Sequence, residues 1–194
     1  MSDWLDGIIG EATVSPFETI LLVVLLSGAL MIVFYAIRTG VPPQSSGRAA
    51  RQALLHLLPD TIDGPIVDLG SGWGALVEDI GERYPENLVV GYELSPIPYW
   101  ISCLRLKLKT RPNVEYRRAD FLKADLSEFR AATCYLMIGA MKPLASKLLE
   151  LPDGAVVVSN AFSLHGWEAD ETITLSVTGA TNYYRYIVRR DPGA

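Results

Sequence analysis

Hydrophobic and polar positions divide the chain into two regimes. From Phe17 to Ile37 (FETILLVVLLSGALMIVFYAI) apolar residues dominate, with no charge after Glu18 and no polar stripe of the kind a helix packed on a globular core keeps. About 20 residues at 1.5 Å each match the roughly 30 Å hydrocarbon layer of a bilayer, so the pattern predicts one transmembrane helix over residues 17–38. Asp3, Asp6, Glu11 and Glu18 lie before or at its start, with no Lys or Arg, the reverse of a secretory signal's leading segment. Arg38, Arg48 and Arg51 follow it. The positive-inside bias therefore predicts a single-pass membrane protein whose C-terminal part lies in the cytoplasm, at the inner membrane if the cell is bacterial. Residues 1–16 become an extracytoplasmic segment, in which Trp4, Leu5, Ile8 and Ile9 suit a short interfacial helix.

Beyond the span, residues 39–47 (TGVPPQSSG) read as a linker. Ser45 or Ser46 is placed to cap a helix reaching Leu58, with Ala50, Leu54, Leu55 and Leu58 on one face and Pro59 as its stop. Strand and helix patterns then alternate. Strands are expected at Ile66–Leu69, Leu88–Glu93, Val114–Arg118, Cys134–Ile138 and Ala155–Asn160, and helices at Ala75–Tyr84, Pro98–Lys109 and Lys142–Leu149. Thr172–Val177 and Tyr183–Val188 alternate polar and apolar residues across a Gly179–Asn182 turn, the signature of a terminal hairpin. Alternation of this kind implies an α/β, Rossmann-like domain over residues 48–194, its parallel sheet covered by helices on both faces and closed by an antiparallel hairpin.

Composition narrows the function. The 194 residues have room for one such domain plus an appendage. A net charge of −5 gives no reason to expect a nucleic-acid partner. Two cysteines, Cys103 and Cys134, and two isolated histidines, His56 and His165, provide neither a disulfide framework nor a metal site.

The chemistry-bearing motif is Val67-Asp68-Leu69-Gly70-Ser71-Gly72-Trp73-Gly74, between the first strand and the next helix. Glycines there let the chain turn sharply and approach a ligand at the carboxyl edge of the sheet, where open α/β sheets bind. Asp68 would face an ammonium group. Glu93, with Leu94 beside it, ends the second strand, where one carboxylate can accept from both hydroxyls of a ribose. Asp120 ends the third strand in position for an adenine amino group, with Phe121 beside the ring. Gly70, Gly72 and Ala75 also satisfy the looser dinucleotide pattern. Three features favour S-adenosylmethionine over a nicotinamide: Asp68 directly before the loop, an acid ending each of the next two strands, and no remaining chain for a dehydrogenase's substrate domain.

With these residues in place, the chain resembles the membrane-anchored seven-strand, class I protein lysine methyltransferases that act on the ATP synthase c-subunit and the adenine nucleotide translocase, and their prokaryotic relatives. The likeness runs from the apolar segment through VPPQSSGRAARQALLHLLP and VDLGSGWG to GYELSP (Gly91–Pro96), its most specific part, then RRADFLKADLSEF (Arg117–Phe129) and SNAFSLHGW (Ser159–Trp167). Trp73 and Ala75 stand where the family has an acid and an arginine, and Asn160-Ala161 where it tends to have Cys-Arg. The resemblance implies a seven-stranded sheet, S-adenosylmethionine as cofactor and a protein substrate, membrane proteins included.

Gly139, Met141 and the stretch Asn160–Trp167 are expected to line the acceptor side, with Asn160, Phe162, His165 and Trp167 as candidates. Phe162 and Trp167 offer either an aromatic wall around an amine or ordinary packing. Tyr99 and Trp100 either meet the cofactor or face the core. The Asn/Asp-Pro-Pro-aromatic box of base-amino methyltransferases is absent after strand four. A lipid or small-molecule methyltransferase at the membrane, and a membrane-bound module without turnover, remain as alternatives.

Overall fold

The computed structural model describes residues 15–39, 47–109, 111–176 and 180–189. The apolar segment forms one helix, α1 (Pro16–Thr39), long and apolar enough to cross a membrane. Its start is fixed by a reciprocal cap: the Glu18 N–H donates to Ser15 Oγ at 3.2 Å, and the Ser15 N–H donates to Glu18 Oε2 at 2.8 Å. Pro16 occupies the first helical position, where its missing N–H costs nothing. The proposed interfacial helix around Trp4 and the serines at 45 and 46 fall outside the described residues. The helix that follows, α2 (Arg48–Leu57), begins after Gly47 with no side-chain cap.

The domain alternates as expected: β1 (Ile66–Leu69), α3 (Ala75–Arg83), β2 (Val89–Tyr92), α4 (Pro96–Leu108), β3 (Val114–Arg117), a 3₁₀ turn (Phe121–Lys123), β4 (Ala131–Cys134), α5 (Ile138–Lys147) with a 3₁₀ extension (Leu148–Glu150), β5 (Val156–Asn160), β6 (Glu171–Ser176) and β7 (Ala180–Ile187). The sheet has seven strands in the order β3-β2-β1-β4-β5-β7-β6. The first five are parallel and β7 runs antiparallel to both β5 and β6. This is the Rossmann-like, seven-stranded class I methyltransferase sheet with its closing hairpin.

Both faces are buried. On one, Val67, Leu69, Val90 and Val157 pack with Leu144 of α5 and with Phe129; on the other, Ile66, Val89 and Val158 pack with Leu54 of α2 and Ile80 of α3. A parallel strand covered on both faces reads as a continuous apolar run, which is why β1 and β2 were legible from sequence.

Strand four was not. The expectation of Cys134–Ile138 is corrected to Ala131–Cys134, and Ile138 instead opens α5, replacing the helix expected at Lys142–Leu149. Ala131 and Ala132 are poor strand formers, but as the central strand between β1 and β5 they are fully buried on opposite faces. The bulkier apolar residues Leu136 to Ile138 drew the period reading four residues too far. Two smaller corrections follow the same logic. Helix α4 starts at Pro96 instead of Pro98, because proline is at ease in a first turn. Residues 180–182 extend β7 and are not turn.

Candidate functional site

The loop after β1 is built on three glycines with left-handed backbone: Gly70 (φ 84°), Gly72 (φ 52°) and Gly74 (φ 81°). Its polar backbone atoms are held from several sides. The Gly70 and Ser71 N–H groups donate to the Tyr92 carbonyl at 3.0 and 2.8 Å. The Gly72 N–H donates to Glu93 Oε2 at 2.8 Å, while Ser102 Oγ donates to the Gly72 carbonyl at 3.0 Å. Arg105 Nη1 donates to the Trp73 carbonyl at 3.2 Å and the Tyr116 hydroxyl to the Gly74 carbonyl at 2.9 Å. Arg105 is itself fixed to Glu78 at 2.9 Å. Gly91 permits the closeness, since a Cβ there would lie 2.9 Å from both Ser71 Cβ and Tyr116 Cδ1.

Glu93 is 8 % exposed, so it is no solvated loop acid. Its Oε1 accepts from the Ser95 N–H at 2.6 Å and its Oε2 from Gly72, one backbone bond per oxygen. Each oxygen keeps acceptor capacity for a hydroxyl. Asp68 is 3 % exposed and accepts from Thr133 Oγ1 at 2.6 Å. Burial pushes its pKa up to about 7, Thr133 opposing and the nearby Glu93 charge adding to the rise. Ser71 Oγ is buried with no hydrogen-bond partner among the described residues. The loop thus unites Gly70, Ser71, Gly72 and Gly74 with Glu93, and Glu93 is near enough to act on Asp68.

Asp120 lies three residues past β3, half-buried, with Oδ1 accepting from the Leu122 N–H at 3.1 Å and capping the 3₁₀ turn that begins at Phe121. Phe121 packs, partly buried, against the core. Leu94 is half-buried between Glu93 and Ser95.

On the other half of the carboxyl edge, Asn160 ends β5. The register Asp68↔Thr133↔Val158 and the alternation of side chains put Asn160 on the face of Asp68, one pleat nearer the edge. It is 2 % exposed, and its Oδ1 has no hydrogen-bond partner among the described residues. Ala161, next to it, holds a left-handed φ of 68°, strained for a residue with a Cβ. Phe162 and Trp167 pack partly buried on the core, Trp167 edge-on to Tyr186 with centroids 6.0 Å apart, so packing accounts for both. His165 and Gly139 are exposed. Met141 is corrected from the acceptor side to the core, at 3 % exposure. Tyr99 leans on the core and Trp100 faces outward.

Ser102, Arg105 and Tyr116 escaped the sequence reading. Part of the signal was present: Ser102 and Arg105 are polar residues three apart on a largely apolar helix.

Residues 68–171 match the family model for the ANTKMT methyltransferase domain. The chain is 29% identical over 163 residues to the ATP synthase C-subunit lysine N-methyltransferase of Mus musculus, covering 76% of this chain and 63% of that protein. It is 35% identical over 128 residues to the mouse adenine nucleotide translocase lysine N-methyltransferase, covering 63% of this chain and 54% of that one. It therefore spans about half to three-fifths of the length of these two relatives. Among solved structures, an RNA methyltransferase from Salinibacter ruber in complex with S-adenosyl-L-homocysteine superposes with a TM-score of 0.66 at 26% identity, over 78% of this chain and 98% of that one. With the glycine loop, Glu93 and the sheet order all inside or beside the matched segment, the chain belongs to the ANTKMT methyltransferase domain family.

Proposed function

We propose that this chain is an S-adenosylmethionine-dependent N-methyltransferase that modifies a protein lysine at a membrane, held there by α1. The observation that carries the reading is the buried Glu93 carboxylate, which pins the glycine loop through Gly72 and keeps acceptor capacity on both oxygens. Together with the partnerless Ser71 Oγ and the three left-handed glycines, these groups fit an adenosyl ligand. Bound S-adenosylmethionine would supply an electrophilic methyl group on a sulfonium.

The chain's own residues would then bind and orient. Asp68 meets the ammonium of the amino-acid end, Gly70 to Gly74 leave the backbone open to it, and Glu93 takes the ribose hydroxyls. Asp120 receives the adenine amino group on the oxygen not engaged by Leu122, with Leu94 and Phe121 bordering the ring. The acceptor amine must arrive without its extra proton, and an apolar surrounding favours that neutral form. Asn160 Oδ1, buried and partnerless, is suited to accept an N–H of the amine and so aim its lone pair at the methyl carbon; such positioning supplies much of the acceleration. His165 is exposed and free to relay the released proton to water.

The apolar α1 supports anchoring, and the arginines after it support a cytoplasmic domain. A net charge of −5 argues against a polyanionic acceptor such as RNA. The test is incubation of the purified full chain with methyl-labelled S-adenosylmethionine and native membranes, followed by mapping of the label. Label on a lysine is expected. Label confined to lipid, to RNA or to small molecules would overturn the protein-lysine reading, and no calorimetric signal with S-adenosylhomocysteine would overturn the cofactor.

A further inference from the structure

Helix α4 has two faces with different surroundings. Its inner face holds the glycine loop through Ser102 and Arg105. Its outer face carries Trp100 (63 % exposed), Ile101, Leu104 (57 %) and Leu108 (77 %), spaced to form one apolar stripe along the helix. A contiguous apolar stripe turned to the outside marks a surface that meets something other than water.

The position of α1 identifies what. Among the described side chains of α1, the half-buried ones are Gly28, Ile32, Tyr35 and Ala36, a single stripe in its C-terminal half, while residues 15–27 are exposed throughout. Gly28 faces the first turn of α4, where a Cβ would stand 3.8 Å from Ile97 Cδ1. Arg118 Nη2, just past β3, donates to the Tyr35 hydroxyl at 3.4 Å. The domain therefore touches α1 well before the end of that helix. From Gly28 to Ile37 is about 13 Å of helix, close to half of a hydrocarbon layer of roughly 30 Å. An α1 that crosses a bilayer while its midpoint stays against α4 must carry the outer face of α4 into the same leaflet.

We infer that the outer face of α4 is embedded in the acyl region of an anionic phospholipid leaflet, so that the domain sits partly in the membrane. The inference rests on the anchoring of α1. Charge fits this occupant: Lys107 and Lys109 are exposed at the end of the stripe, on stems long enough to reach headgroups. Trp100 is the residue type that settles at the headgroup–acyl boundary. Glu93 and Ser95 lie directly before α4, so the cofactor crevice opens on the membrane side of the domain. The lysines it reaches are those emerging from a membrane protein at the lipid surface, not those of freely diffusing proteins.

The test uses the full chain in vesicles of phosphatidylcholine and phosphatidylglycerol that carry nitroxide quenchers near the headgroup or deep in the acyl chain. Subtracting the emission of Trp100→Phe isolates Trp100. Trp100 emission is expected to fall with the deep quencher as well as with the shallow one. Leu104→Glu, at an exposed position, is expected to relieve the quenching while the chain still resists carbonate extraction. Trp100 untouched by both quenchers in a carbonate-resistant chain would overturn the embedded face and leave the anchor standing. The same protection accompanied by cross-linking between copies would give the stripe to a second copy and equally overturn the inference. Release of the whole chain by carbonate would remove anchor and inference together.

Discussion

At the scale of single residues, the two buried acids at the carboxyl edge of the sheet differ in how their charge is supported. Glu93 has a backbone N–H on each oxygen, whereas Asp68 has one hydroxyl and little solvent. With its folded pKa raised to about 7, Asp68 binds its proton more tightly in the folded than in the unfolded chain. The stability this gives is complete at low pH and is lost as pH rises through about 7. Asp68→Asn, which cannot ionise, is therefore expected to raise the Tm of the ligand-free protein by an increment that grows from about pH 4 to about pH 7 and then levels off, as thermal melts across pH would record. If Asp68 meets an ammonium, the wild type should bind S-adenosylhomocysteine more weakly as pH falls below about 7, and the Asn variant should lose that dependence along with most of its affinity. Glu93→Ala should cost roughly 1.5–3 kcal/mol of binding in a calorimetric titration, the range for hydrogen bonds to a charged group, and an unchanged Kd would remove Glu93 from the site. Asn160→Ala should instead leave the cofactor Kd in place and lower kcat for the amine acceptor.

The glycine loop is an assembly of elements as much as a sequence motif. Its conformation depends on α4 through Ser102 and Arg105, on β3 through Tyr116, and on the missing side chain of Gly91 in β2. Gly91→Ala would press a methyl group against Ser71 and Tyr116. We expect a destabilisation of about 1–3 kcal/mol in denaturant unfolding, the cost typical of overpacking. Tyr116→Phe removes the side-chain donor to the Gly74 carbonyl, which keeps the Glu78 N–H at 3.0 Å, and should cost about 1 kcal/mol, with looser cofactor binding as the loop relaxes. Equal stability of both variants to wild type would mean that the loop holds its shape unaided. Next to Asn160, the left-handed Ala161 adds strain at the carboxyl edge, where its N–H continues the pairing of β5 with β7 by donating to the Asn182 carbonyl at 2.9 Å.

For the whole molecule, the sheet edge that gathers the site is also the edge beside which α1 lies. Helix α1 and the methyltransferase domain are thus joined by side-chain contacts as well as by the chain between them. If the arginines after α1 set its orientation, protease added to the cytoplasmic side of intact membranes should digest the domain, and protease added to the opposite side should spare it.

Much of this was written in local patterns. The apolar span of α1, the continuous apolar strands β1 and β2, the glycine loop with Asp68 and Glu93, and the closing hairpin each rest on periodicity or on residue types whose meaning is local. What local patterns could not carry was anything that depended on neighbours distant in the chain. Ala131 and Ala132 form a central strand only because β1 and β5 flank them. Met141 is core and Trp100 is surface because of how α5 and α4 turn on the sheet. Ser102, Arg105 and Tyr116 reach the loop across gaps of 30, 32 and 42 residues. The sequence chose the elements and the chemistry; three-dimensional packing alone decided which backbone atoms those side chains hold, because each such bond joins groups that no short stretch of chain contains.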